Sequence, residues 1–209
     1  MILRIAGINH FDPAGRQRLT DWLAFSSKKF GNPAFVGTEW DRDIFARVKS
    51  QRGEFQGLIS KQWPNLSPGL LKVLTLSLAY EADSHTEVLS DVEVVWLDEG
   101  RQAQEDDIQN YARDRFAMYQ RWLGGEVTER DDSVILAKMS ERAIGEAGRP
   151  PSVGNERDAK FADSILRRVG KGGGDWAVVI VGKFHALTYK GAMRQLLEEK
   201  EQSCEVSPL

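Results

Sequence analysis

Cysteine is almost absent: Cys204 is the one thiol in the chain. No disulfide framework forms within one chain, and a lone thiol in a polar C-terminal stretch is a poor nucleophile. Long apolar runs are also missing. None nears the length of a membrane span. The first apolar stretch, Ile2–Ala6, is too short and too charged at its rim to serve as a signal peptide. A cytoplasmic protein with no membrane partner is expected. Neither sign of charge dominates, with 28 Lys and Arg against 31 Asp and Glu. That balance gives no electrostatic case for nucleic acid binding. Histidine is scarce, at three residues in 209.

Two of those three histidines stand in matched places. "ILRIAGINHF" near the start carries Gly7 and His10, and "VVIVGKFHAL" near the end carries Gly182 and His185. In each, an aliphatic strand meets a glycine, and a histidine follows three residues later. A looser echo extends further, aligning Gly15 with Gly191 and Leu19 with Leu196. Two strand–GxxH–helix units suggest a pseudo-symmetric domain.

The elements between them alternate. Strands are expected at Ile2–Ala6, Ala34–Thr38, Val92–Leu97 and Trp176–Val181. Helices are expected from Asp12 to Phe30, Asp41 to Lys61, and from Ser67 through "LSPGLLKVLTLSLAYEADS". Further helices are expected from Glu105 to Leu123, ending at Gly124-Gly125, and from Asp131 to Glu146, Glu156 to Val169 and Leu187 to Glu201. "GRPPSVGN", Gly148–Asn155, is the clearest loop. The fold class is α/β: one layered domain over residues 1–202, with a central mixed sheet of four or more short strands flanked by helices. Residues 203–209 are expected as a flexible tail.

Chemistry in layered α/β domains collects beyond the carboxyl ends of the strands. Glycine at a strand exit permits a sharp turn, and a residue three positions later can point back across the edge. The second strand ends in "GTEWD", bringing Glu39 and Asp41 there, and the third in "LDEG", bringing Asp98 and Glu99. If the first, second and last strands are neighbours, His10, Glu39 and His185 converge. Two imidazoles and a carboxylate suit a catalytic divalent metal with an open water position, and Mn²⁺, Co²⁺ and Zn²⁺ all accept such ligands. Without a metal the same groups serve as general base and acid. Either histidine alone reads more readily as a loop residue bonded to backbone; the matched pair shifts the balance towards function. His85 lies in a polar turn, and Glu81, Asp83 and Glu87 around it read as a solvated helix end.

These residues resemble the superfamily that contains TraB/PrgY proteins, Tiki proteins, erythromycin esterases and ChaN-like proteins. "GINH" and "GKFH" resemble its two GxxH motifs. "FVGTEWDRD" resembles its strand-end glutamate segment, and "NERDAKFADSIL" its Glu-Arg-Asp helix before the second motif. "VEVVWLDEGR" resembles its aliphatic middle strand. The resemblance carries over to His10, Glu39, Arg157 and His185, with Gly7 and Gly182 as turn glycines and Asp158 as a weaker member. It implies a hydrolase of amide, peptide or ester bonds, with His10, Glu39 and His185 as metal ligands. Arg157 would hold a substrate carboxylate or a developing oxyanion. Arg16, Arg18 and Arg113 are alternative cations. The substrate would be a small molecule or a peptide, and a homo-oligomer stays open. Ile8 replaces the small polar residue or glutamate that follows the first glycine in relatives, which argues against macrolide ester hydrolysis. Other branches imply the alternative of a non-catalytic haem- or ligand-binding or regulatory protein, with Tyr189 a distant stand-in for an axial ligand.

Overall fold

A computed structural model describes the chain apart from Gly125, Glu126, residues 128–130, Ala147, Arg149, Pro150 and Ser152. In chain order it contains β1 (Ile2–Ile8), α1 (Gly15–Phe30), β2 (Val36–Thr38), α2 (Arg42–Ser50), α3 (Arg52–Gln62) and α4 (Pro68–Leu76). Two 3₁₀ turns, Tyr80–Ala82 and Ser84–Glu87, lead to β3 (Val94–Trp96). Then come α5 (Glu105–Gln109), α6 (Tyr111–Leu123), α7 (Asp132–Glu146), α8 (Glu156–Val169), β4 (Trp176–Gly182), α9 (Met193–Glu198) and β5 (Ser203–Pro208). No helix among the described residues is long and apolar enough to cross a membrane.

The five strands form one sheet in the order β3-β2-β4-β1-β5. All four strand pairings are parallel, so the sheet is not the mixed one expected. Strand β4, "WAVVIVG", is buried along its whole length. A continuous aliphatic run of that kind belongs at the centre of a parallel sheet covered on both faces. Its inward residues divide by the pleat. Val179 and Val181 join Leu3, Ile5, Phe161 and Met193 on one face, beneath α8 and α9. Val178 and Ile180 join Ala6, Ile8, Leu19, Leu23 and Tyr80 on the other, beneath α1. A separate cluster under α2–α7, with Phe55, Leu74 and Tyr119 fully buried, forms a helical layer beside the sheet.

The last residues correct the expectation of a flexible tail. Ser203–Pro208 pairs in parallel with β1 over six residues. Cys204 and Val206 pack against the core beneath, while Glu205 bonds Arg4 at 2.7 Å. The segment alternates inward and outward side chains, but its inward residues are few, so its polarity hid a strand.

Two long helices are each broken. The break at Gln51 separates α2 from α3, and the break at Asn110 separates α5 from α6. The two breaks face each other. Gln51 Nε2 donates to the Ile108 carbonyl at 2.5 Å, and its Oε1 accepts from the Ala112 N–H at 3.0 Å. One side chain thereby satisfies backbone groups that the second break leaves open. Helix α4 starts as expected, with Ser67 Oγ accepting from the Leu70 N–H at 2.9 Å. It stops at Leu76, well before the expected end. Ala79 then takes a left-handed conformation, φ 53° and ψ 43°. That turn delivers Tyr80 and Glu81 back into the protein. Helix α6 ends at Gly124 (φ 77°), as expected, while Gly125 and part of the Gly148–Asn155 loop lie outside the described residues. Helix α8 has the expected bounds, set by a capping box between Asn155 and Asp158.

Candidate active site

Because all strands run the same way, the carboxyl ends of β2, β4 and β1 lie side by side. His10 follows β1, Glu39 follows β2 and His185 follows β4. The condition for their convergence is met, with β4 between the other two. The Glu39 carboxylate stands between the imidazoles. Its Oε2 is 3.4 Å from His10 Nε2, and its Oε1 is 3.4 Å from His185 Nε2. Glu39 is buried, and its Oε2 also accepts the Gly182 N–H at 2.5 Å.

Each imidazole is braced from behind by a second buried carboxylate. His10 Nδ1–H donates to Glu81 Oε1 at 2.8 Å, and His185 Nδ1–H donates to Asp158 Oδ1 at 2.7 Å. The internal echo of the sequence thus extends to chemistry. The two acids come from unrelated places, one from the 3₁₀ turn after α4 and one from the first turn of α8. Asp158 also accepts the Met193 N–H at 2.8 Å and closes the capping box, so α8, α9 and His185 are fixed by one side chain. Trp40 Nε1–H donates to the same Glu81 oxygen at 2.9 Å. Glu81 Oε2 is buried with no hydrogen-bond partner among the described residues.

Arg157 joins the group from α8. Its Nη2 donates to Glu39 Oε1 at 3.0 Å and to Asp98 Oδ2 at 2.8 Å. Asp98 is itself buried, so the strand-end "LDEG" contributes a carboxylate that orients Arg157. The four carried-over residues, His10, Glu39, Arg157 and His185, are therefore brought together. Asp41 is not among them. It caps α2, accepting from the Asp43 and Ile44 N–H groups at 2.9 and 3.0 Å. The alternative cations are engaged elsewhere: Arg16 with Asp83 and Glu87, Arg18 with Asp12, and Arg113 with Glu54.

Charges set the proton positions. Burial alone would lower the pKa of His10, but the Glu39 and Glu81 charges outweigh it and hold the imidazolium up to about 10. Burial likewise works against charged His185, and bonds to Asp158 and Glu39 raise its pKa to about 9. Burial disfavours the Glu39 carboxylate, yet the two imidazoles hold its pKa well below the usual range. Asp158 is also lowered, its burial being offset by His185 and by the Asn155 and Met193 N–H groups. Near neutral pH the centre is therefore an ionised carboxylate between two imidazolium groups.

The turn glycines are glycine for a different reason from the one expected. Gly7 and Gly182 lie within β1 and β4, and neither has a positive φ. Space decides both positions. A Cβ on residue 182 would sit 2.6 Å from His10 Nε2 and 3.2 Å from Glu39 Oε2. A Cβ on residue 7 would sit 3.0 Å from that of Ala186.

Two residues of the site were not expected. Glu81, read as part of a solvated helix end, is 1% exposed, and Asp83 beside it is 6% exposed. The signal lay in its neighbours: Leu78, Ala79, Tyr80 and Ala82 make that stretch apolar on more than one face, which leaves a carboxylate there no route to water. Arg115 is the other. It is buried and donates from Nη1 to the His10 carbonyl at 2.7 Å, while its guanidinium lies over the Phe11 ring at 4.9 Å. With the Tyr80 hydroxyl donating to the Asn9 carbonyl at 3.0 Å, it fixes the loop that presents His10. His85 is buried too, but it stands apart from the centre, with Nδ1 unpartnered among the described residues and its pKa lowered by burial.

As donors, the two imidazoles and Glu39 are of the right kind for a divalent metal. An imidazole with Nδ1 on a buried carboxylate is how ligating histidines are oriented. In the present arrangement both Nε2 atoms face Glu39, and among the described residues no three His, Cys, Asp or Glu side chains are disposed to hold an ion. Comparison with protein-family models, curated proteins and solved structures finds no match to this chain.

Proposed function

We propose that the protein is a hydrolase of amide, peptide or ester bonds, acting at the cluster of His10, Glu39, His185 and Arg157. One observation carries this reading: a buried carboxylate shared by two imidazoles, each braced by a further acid. Hydrolysis needs a base to take a proton from water and an acid to give one to the leaving group. Here the imidazolium groups are the acids and Glu39 is the base. Glu39 alone is a weak base, because two cations stabilise its charge. When one imidazolium gives its Nε2 proton to the leaving atom, that stabilisation falls and Glu39 becomes more basic. Proton gain and proton loss are thereby coupled over 3.4 Å. The attacking water forms the new C–O bond, the bond to the leaving group breaks, and Glu39 returns the proton to the imidazole. Arg157 stabilises the carbonyl oxygen as charge develops on it. A divalent ion held by His10 Nε2, His185 Nε2 and Glu39 would take the place of the Nε2 protons and would supply Lewis-acid polarisation of the carbonyl and a more acidic water instead. The near absence of cysteine agrees with action in the cytoplasm.

The test is a panel of simple esters, N-acyl amino acids and dipeptides, assayed with wild type, Glu39→Gln and His185→Ala. Loss of about 10²–10⁴-fold in kcat/KM in either variant is expected. Elemental analysis of wild type and His185→Ala shows whether an ion is held and whether His185 holds it. Turnover that survives both substitutions would overturn the reading.

A further inference from the structure

Two recesses meet at His10 and Glu39. The first, about 200 Å³, runs past His185 between Ile8, Phe11, Gly182 and Phe184. The second, about 220 Å³, opens on the other side, walled by Phe11, Trp40 and Tyr111 with Arg101 and Arg157 among its lining. Phe11 stands between them and is 43% exposed. Either volume exceeds the roughly 150 Å³ that admits a benzene ring. The bond next to His10 and Glu39 therefore has room for one ring-sized arm on each side.

The second recess has a distinct character. Trp40 and Tyr111 meet edge to face at 5.9 Å, forming a stiff aromatic wall. Two acids border it: Glu39 is engaged by Arg157 and the imidazoles, and Glu81 by His10 and Trp40 through Oε1, its Oε2 having no hydrogen-bond partner among the described residues. The cations are less fully matched. Arg101 makes one ion contact among the described residues, a long 3.5 Å approach to Asp98, and that acid is already taken by Arg157 at 2.8 Å. Both carboxylate contacts of Arg157 run through Nη2. The Arg101 side chain is about half exposed, at 47%, and lines the recess.

We infer that the second recess binds the carboxylate-bearing arm of the substrate. The carboxylate lies on Arg101 and the Nη1 side of Arg157, and an aromatic or branched side chain lies against Phe11, Trp40 and Tyr111. The inference rests on the hydrolase reading and deepens it. The substrate class is an N-acyl amino acid with a large side chain. Its amide carbon sits at His10 and Glu39, its acyl group fills the first recess, and its amino-acid part fills the second. Cleavage adds water across the C–N bond: the acyl carbon gains oxygen and the amino acid leaves as a free amine. A carboxylate one carbon from the amide nitrogen suits the short path from Glu39 to Arg157. Arginine is the fitting partner, because its planar donors match a carboxylate in pairs.

Binding and turnover separate the two ideas. Binding is measured by calorimetry with 3-phenylpropanoate and its neutral amide, neither an N-acyl amino acid. The acid is expected to bind wild type at least about tenfold more tightly, a difference reduced by Arg101→Ala and partly regained by Arg101→Lys. Equal binding of the two ligands, or a preference that survives Arg101→Ala, overturns the inference. Acetate release from N-acetyl-phenylalanine is followed in parallel. Release with KM raised about tenfold in Arg101→Ala supports both ideas. Carboxylate-selective binding with no cleavage of any ester, N-acyl amino acid or dipeptide of the panel sinks the hydrolase reading and leaves the recess assignment standing, whereas cleavage of esters or dipeptides without release of acetate from N-acetyl-phenylalanine overturns the substrate class alone.

Discussion

Asp158 accepts a 2.7 Å hydrogen bond from Nδ1 of His185 while wholly buried. It also closes the cap of α8 and holds the first N–H of α9, so one carboxylate serves both the fold and the chemistry. Asp158→Asn keeps the shape and removes the charge. The pKa of His185 is expected to fall from about 9 by at least about one unit, read by NMR titration of the ring. Stability should drop by roughly 1–3 kcal/mol, since a buried charged acceptor is replaced by a weaker one. A His185 titration unmoved by the substitution would show that Asp158 has only a capping role.

Stability should decline on the alkaline side earlier than lysine or tyrosine chemistry would require. His10 and His185 have folded pKa values of about 10 and about 9, above the free histidine value of 6.5. Their contribution is whole below about 6.5, where both folded and unfolded chains are protonated. It declines as pH rises from there to the folded values, because over that range the unfolded chain has released protons that the native state still holds, and it is lost once the pH has passed them. Glu39 and Asp158 have lowered values, so their contribution is present above the free carboxylate range and lost on acidification. Thermal melts from pH 4 to pH 10 should give a maximum near pH 6, and His185→Gln should flatten the alkaline fall. A melting temperature constant from pH 6 to pH 10 contradicts the proton positions described.

Gly182→Ala places a methyl group 2.6 Å from His10 Nε2 with no backbone strain to relieve. The cheapest response is to push the His10 ring away from Glu39. Activity should fall by about 10²-fold or more, while thermal stability falls by no more than about 1–3 kcal/mol. Gly7→Ala meets a neighbouring methyl at 3.0 Å rather than a functional atom, so it should cost stability before activity. Equal activity in wild type and Gly182→Ala is the result that would remove His10 from the mechanism.

The aliphatic runs and the spacing of glycine and histidine made the centre legible. Four strands and the convergence of His10, Glu39 and His185 follow from them, because parallel strands deliver their carboxyl ends to one edge; Arg157, which comes from helix α8, was suggested by the resemblance alone. The outer acids were harder to see. Glu81 reaches His10 across 71 residues through a left-handed turn at Ala79, and no local pattern encodes that route. Arg115 reaches the His10 carbonyl across 105 residues. The helix breaks at Gln51 and Asn110 are tied together by the Gln51 side chain across 57 to 61 residues of sequence, a contact that local periodicity does not encode, so a period of 3.6 runs straight through both. Strand β5 escaped because an edge strand needs few apolar residues, and its pattern is short.

The order of strands has a consequence for synthesis. Strand β4 is the middle of the sheet, yet it is almost the last element to be made. A growing chain that has reached only residue 170 has the sequences of β1 and β2 but lacks the strand that joins them in the sheet. It can collapse its helical layer, but it cannot close the sheet or supply His185. Pairings this distant in sequence are slow to form. The centre is therefore complete only after β4 and His185 have been made, although His10, Glu39, Glu81 and Arg157 are all in place in the chain before them.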